Sequence, residues 1–290
     1  MKTCSGKTGA LLGLLLLAAL GAARAATCNG LTCTIEGTSG NDVLNGTSGA
    51  DVICGLQGND TINAAGGNDT ICGGLGTDVM NGEFGADLIL GEPGNDTMNG
   101  GDGTDTVKFL SPVMASLVTG KANIIGTTEE DMLTSIENLT GSSSGDTLIG
   151  DAGNNTLDGQ NGADVLDGGD GNDVLIGRLG NDRLTGGAGA DSLNGGDGSD
   201  TAAYTTAINA SLTTGSASDG DSLIAIENLE GSTAADTLEG DANDNTLIGS
   251  AGNDVLDGKG GTDVCDGGPH RPLNPGDVCI DCETAISCEF

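Results

Sequence analysis

GLQGNDTIN at residues 55–63 runs without a gap into AAGGNDTIC at 64–72 and GGLGTDVMN at 73–81. Each nine-residue unit places a Gly fourth, an Asp sixth and an apolar side chain eighth. Outward from this stretch the register holds from Asp42 through Asp51, Asp60, Asp69, Asp78, Asp87 and Asp96 to Asp105. A second array carries Asp146, Asn155, Asp164, Asp173, Asp182, Asp191 and Asp200, and a third Asp236, Asn245, Asp254 and Asp263. The arrays hold 8, 7 and 4 units. Acidic disordered tails keep no such register, so a repeat architecture is expected.

Two residues after each acid stands an apolar residue: Ile53, Ile62 and Ile71 in the first array, Leu157, Leu166 and Leu175 in the second, Leu247 and Leu256 in the third. Each unit reads as a six-residue turn and a three-residue strand whose middle side chain points inward. One such strand buries nothing alone, whereas stacked units bury a continuous aliphatic file. Only one Tyr and three Phe occur among 290 residues, with no Trp and 54 Gly, which suits a thin solenoid better than a globule. A period of 18 overlies the period of 9. Asn45, Asn63, Asn81 and Asn99 close alternate units, with Cys54, Cys72, Leu90 and Lys108 between them. Residues 18 apart would stack about 4.8 Å apart on one face, so the Asn file reads as a ladder of amides.

The units match G-G-x-G-x-D-x-U-x, the calcium-binding RTX nonapeptide, and the chain resembles the RTX (haemolysin-type) calcium-binding family over most of its length. The resemblance implies an all-β fold, a right-handed parallel β-roll with two units per coil, and Ca2+ held in the turns between successive coils. The residues it assigns to the metal are the aspartates named above, from Asp42 to Asp105, Asp146, Asp164 to Asp200, Asp236, Asp254 and Asp263. Pairing units one coil apart allows at most about 13 ions. Asn155 and Asn245 depart from the pattern, and weaker or missing ions are expected beside them.

The need for a cation follows from charge. The net charge of −34 becomes −37 without Lys2, Lys7 and Arg24, which makes nucleic acid and anionic membrane poor partners, since each requires a basic surface. Carboxylates stacked about 5 Å apart repel by roughly 1 kcal/mol per pair in water and several-fold more in a partly buried turn. Calcium takes six to eight oxygens from carboxylates and carbonyls, magnesium prefers a small octahedron, and zinc prefers nitrogen and sulfur. The one histidine is His270.

Residues 1–25 read as a secretory signal, with Lys2 and Lys7, the apolar run 11–20 and the small-residue site Ala23-Arg24-Ala25. Beyond it the expected organisation is an N-terminal cap 26–36, array one 37–108, an interruption 109–140, array two 141–203, an interruption 204–230, array three 231–266 and a Cys-rich cap 267–290. The interruptions are related: SIENL at 135–139 recurs as AIENL at 225–229. They are expected to continue the solenoid as longer coils without calcium turns. The eight remaining cysteines favour disulfides capping the ends, with Cys54 and Cys72 close enough to pair on adjacent strands. Cys279 and Cys282 form a C-x-x-C spacing that redox or zinc sites also use.

No H-E-x-x-H occurs, and His270 alone is a poor base for a Ser-His-Asp triad. No apolar pocket is indicated that would raise one carboxyl of a glycosidase pair. The expected function is therefore non-enzymatic: a secreted calcium-binding protein that folds on export, with a structural or binding role at or outside the cell surface. The alternatives are a calcium-dependent adhesin or ice-binding solenoid, against which the alternation Val43, Thr61, Val79, Thr97 counts, and a hydrolase with an unrecognised site.

Overall fold

The computed structural model describes residues 26–269 and 276–289, so the expected signal segment and His270 lie outside the described residues. Among those described there is no helix, only strands, turns and bends. Successive repeat strands alternate between two long sheets of 15 and 16 strands. Strand Val43–Asn45 pairs in parallel with Thr61–Asn63, and Val52–Cys54 with Thr70–Cys72, each at an offset of 18. Two nonapeptides therefore make one coil of a parallel β-roll.

The reason lies in the strand itself. With three residues only the middle side chain faces inward, and the two sheets bury a single aliphatic layer between them. From Ile53 to Val107, and again through the repeat leucines from Leu148 to Leu193 and from Leu238 to Leu256, that residue has no exposed surface. The Asn ladder forms: the Asn63 amide donates to Asn45 at 3.2 Å, and that of Asn81 to Asn63 at 3.0 Å.

The turns stack as closely as the strands. Gly67 has φ +120°, and a methyl group there would lie 2.5 Å from the Gly49 carbonyl carbon and 2.6 Å from the Ala50 nitrogen of the preceding coil. Gly67→Ala combines a disfavoured backbone with a clash that no side-chain rotation relieves. It is expected to cost about 2–3 kcal/mol, read as a lowered thermal midpoint in saturating calcium; an unchanged midpoint would show that the turns are loosely stacked.

The solenoid continues through both interruptions, though by a different device from a longer coil. Strands Val113–Ser116, Lys121–Ile124 and Glu130–Thr134 form an antiparallel meander set into the 15-stranded sheet between Thr97–Gly103 and Thr147–Ile149. Asn209–Ser211, Ser216–Ala217 and Ser222–Ile224 do the same in the 16-stranded sheet. Each meander places three strands in one sheet while the other gains one, Asn138–Thr140 or Asn228–Glu230. The intervening array has an odd number of units, so the second meander falls in the opposite sheet and the two insertions balance.

The expected Cys54–Cys72 bridge does not form. Cys28 pairs with Cys72 and Cys33 with Cys54. Cys54 and Cys72 stand in register and point out of the sheet side by side, whereas the hairpin of Thr27–Cys28 and Leu31–Thr32 approaches them from above. The hairpin covers a small apolar cluster that includes Leu90. At the other end Cys265 pairs with Cys282 and Cys279 with Cys288. Cys265 and Cys279 stand in register with Leu247 and Leu256, so these bridges close the core file itself.

Candidate metal centre

Every repeat aspartate is buried except Asp42, which is half-buried at the open end. Their carboxylates form two ladders along the edges of the roll. One oxygen accepts the backbone N–H of the aspartate one coil earlier: Asp42 N–H donates to Asp60 at 2.8 Å, Asp60 to Asp78 at 2.7 Å and Asp78 to Asp96 at 2.9 Å. The other ladder runs from Asp51 through Asp69 and Asp87 to Asp105 at 2.7–2.8 Å. In array two Asp146, Asp164, Asp182 and Asp200 form one ladder, and Asn155, Asp173 and Asp191 the other. In array three Asp236 donates to Asp254, and Asn245 to Asp263.

The second oxygen divides the aspartates into two groups. In the opening units it is satisfied from within its own turn. Asp42 Oδ2 accepts the Thr38 amide at 2.6 Å and hydroxyl at 2.8 Å, and Asp51 Oδ2 accepts those of Thr47 at 2.7 and 2.9 Å. The Ser142 and Ser232 amides likewise donate to Oδ2 of Asp146 and Asp236, at 2.6 and 2.7 Å. Further along, Oδ2 of Asp60, Asp69, Asp78, Asp87, Asp96, Asp105, Asp164, Asp173, Asp182, Asp191, Asp200 and Asp263 is buried and meets no donor. Such orphaned carboxylate oxygens cost several kcal/mol each unless a cation or proton meets them.

Backbone carbonyls converge on the same places. A methyl group on Gly258 would sit 2.5 Å from Asp281 O and 2.6 Å from Asp263 Oδ2, and one on Gly141 would sit 2.5 Å from Asp146 Oδ2 and 2.9 Å from Gly159 O. A side chain at the head of the turn would fill the space between carboxylate and carbonyl. No three His, Cys, Asp or Glu side chains cluster among the described residues. An ion here would thus take few carboxylates and several carbonyls, a donor set suited to a large hard cation. Burial raises the carboxyl pKa of Asp96 and Asp164 to about 7 and that of Asp173 and Asp200 to about 6. The Thr47 amide instead holds Asp51 below its ordinary value.

Six further acids, absent from the sequence-based set, end the ladders. Asp96 donates to Asp131, Asp191 to Asp221 and Asp254 to Asp277. Asp105 donates to Glu137 at 2.7 Å, Asp200 to Glu227 at 2.8 Å and Asp263 to Glu283 at 2.6 Å. In sequence they read DMLTSIE at 131–137, DSLIAIE at 221–227 and DVCIDCE at 277–283. The common spacing of acid, apolar, apolar and Glu was the available signal. Cysteines at two apolar positions hid the third copy inside what reads as a Cys-rich cap.

This closing segment also explains the two asparagines. Glu137 turns its N–H to Asp105 O at 3.2 Å and presents its carbonyl to the next coil. A carboxylate there would face that carbonyl, whereas Asn155 donates its amide to Glu137 O at 2.8 Å and its oxygen accepts Asp151 N–H at 2.8 Å. Asn245 does the same with Glu227 O at 2.9 Å and Asp241 N–H at 2.8 Å. Asn155→Asp is therefore expected to destabilise the roll by about 1–3 kcal/mol, although it restores the consensus. Thermal denaturation at saturating calcium would read this, and a raised midpoint would show that the position lacks only a metal ligand.

No curated protein matches the chain. The model of the RTX calcium-binding nonapeptide repeat (4 copies) matches residues 36–71, 46–80, 73–107, 140–175, 167–202 and 227–268. These segments span more than half of the chain and coincide with the three carboxylate-lined arrays, and the protein belongs to the RTX calcium-binding nonapeptide repeat family.

Proposed function

We propose that this calcium-binding repeat protein is secreted, and that calcium outside the cell completes its folding by entering the turns between coils. The ligands in this reading are the repeat aspartates from Asp42 to Asp263 with the turn carbonyls. The observation that supports it most directly is the row of buried Oδ2 atoms without donors, facing glycine carbonyls. Self-satisfied Asp42, Asp51, Asp146 and Asp236 open each array without demanding an ion, and the orphaned aspartates take most of the ions.

Four disulfides suit an oxidising compartment, and no helix among the described residues is long and apolar enough to cross a membrane. The role is structural or binding, at or outside the cell surface, rather than enzymatic. The outer strand position reads Val43, Thr61, Val79, Thr97 along one sheet, a mixed row that favours this reading over an ice-binding face. Isothermal titration of the chelator-treated chain should show many sites, up to about 13 within the repeats. Binding of no more than one or two ions would overturn the assignment.

A further inference from the structure

Each interruption begins four residues after the last aspartate of an array with an aromatic residue. In the first, Phe109 has no exposed surface. In the second the residue is Tyr204, 9% exposed, and its buried hydroxyl has no hydrogen-bond partner. A buried hydroxyl left without a partner is costly, and Phe would serve packing alone.

The surroundings of that hydroxyl are acidic. Asp221, Asp219 and Asp191 all bear on it electrostatically and, after burial itself, oppose its ionisation. Asp221 is 2% exposed, and its Oδ2 also has no donor. Its backbone N–H donates to Asp219 Oδ1 at 3.3 Å, which folds the Asp219-Gly220-Asp221 loop around this point. A methyl group on Gly220 would sit 3.1 Å from Ala190 Cβ, so the loop lies directly on the last turns of array two. Neither Asp219 nor Asp221 forms an ion pair with Lys or Arg among the described residues.

The loop also borders a groove. Thr205, Thr206 and Asp219 line an open groove of about 1170 Å³ together with turns of array two and Leu117 and Val118 of the first interruption. Asp219, exposed at the edge of this groove, is the member of the loop that meets solvent.

We propose that the second interruption holds a calcium ion outside the nonapeptide repeats, bound by the carboxylates of Asp221 and Asp219, the Tyr204 hydroxyl oxygen and water from the groove. The donors are all oxygen, which disfavours zinc. Two carboxylates on a glycine loop with several waters match the flexible coordination of calcium. The first interruption has Asp131 in place of Asp221 but Phe109 in place of Tyr204, so it lacks the hydroxyl.

Tyr204 is the only tyrosine and the chain has no Trp, so its phenol is a built-in reporter. Terbium added to the calcium-folded protein should emit when the phenol is excited, because transfer falls steeply with distance. Asp219→Asn with Asp221→Asn should cut this emission about tenfold and lower bound calcium by one ion. The amide oxygen introduced by Asp221→Asn would still accept the Asp191 N–H and keep the ladder. Asp219→Asn alone, at an exposed residue, should weaken the emission without touching the ladder. Tyr204→Phe, which removes the phenol oxygen, should lower bound calcium by the same one ion.

Emission unchanged in both Asn variants would place the emitting ion in a repeat turn and overturn the proposal, as would absence of emission from the native chain. Circular dichroism in calcium reports the repeats separately, so failure of the repeat reading and failure of this site give different results.

Discussion

Excess chelator is expected to remove nearly all parallel β-structure from the body of the roll, and calcium at about 10⁻⁴ to 10⁻³ M to restore it cooperatively. The carboxylates of Asp60 to Asp105 and Asp164 to Asp200 lie in unbroken ladders, each buried with one oxygen lacking a donor. Neighbouring charges repel by about 1 kcal/mol even in water, and a roll with one aliphatic residue per strand has little apolar burial to set against many such pairs. The disulfide-bonded ends are expected to survive, because Cys28–Cys72, Cys33–Cys54, Cys265–Cys282 and Cys279–Cys288 limit the entropy gained on unfolding. Far-UV circular dichroism across a chelator titration measures this directly. A spectrum unchanged in exhaustive chelator would remove calcium from the account of the fold.

Acid should partly replace calcium. In chelator, the chain is expected to gain β-structure as the pH falls from 8 to about 4.5. Burial raises the carboxyls of Asp96, Asp164 and Asp221 to about 7, and those of Asp131, Asp173 and Asp200 to about 6. Their unfolded values lie near 4. Between about pH 4 and 7 the folded state therefore binds more protons than the unfolded chain. Stability falls as pH rises through that window, and is greatest where these groups are protonated in both states.

With calcium present the direction reverses, because an ion must displace those protons. The calcium midpoint should weaken by about tenfold per pH unit below pH 6 if one proton leaves per ion. A gain of structure centred between pH 6 and 7 would identify the buried ladders. A gain centred near 4 would reflect only the loss of overall negative charge, and no gain at all would overturn the proposed origin of the instability.

The closing segments bear on how such a roll is divided. Glu137, Glu227 and Glu283 each take the N–H of the last aspartate of an array, and Asp131, Asp221 and Asp277 that of the last but one. Thr38, Thr47, Ser142 and Ser232 satisfy the first aspartates. Each array thus begins and ends on hydrogen bonds that its own chain supplies. Asn155 and Asn245, which read as defects in the repeat, are what a coil following a Glu-closed ladder requires.

The nine-residue register, the inward position of residues such as Ile62 and Leu175, the pairing of units 18 apart and the edge rows of aspartates were all determined by the sequence alone. They follow from local periodicity: a strand alternates its side chains, a turn needs small residues, and repetition puts like on like. Only the tertiary structure decided which cysteines meet, since the hairpin, not the neighbouring strand, faces Cys54 and Cys72. It alone showed that each interruption is a meander, and that Asp131, Asp221, Asp277 and three glutamates extend the ladders. These features rest on the direction of single N–H and carbonyl groups and on contacts between segments distant in the chain, and a nine-residue period carries neither.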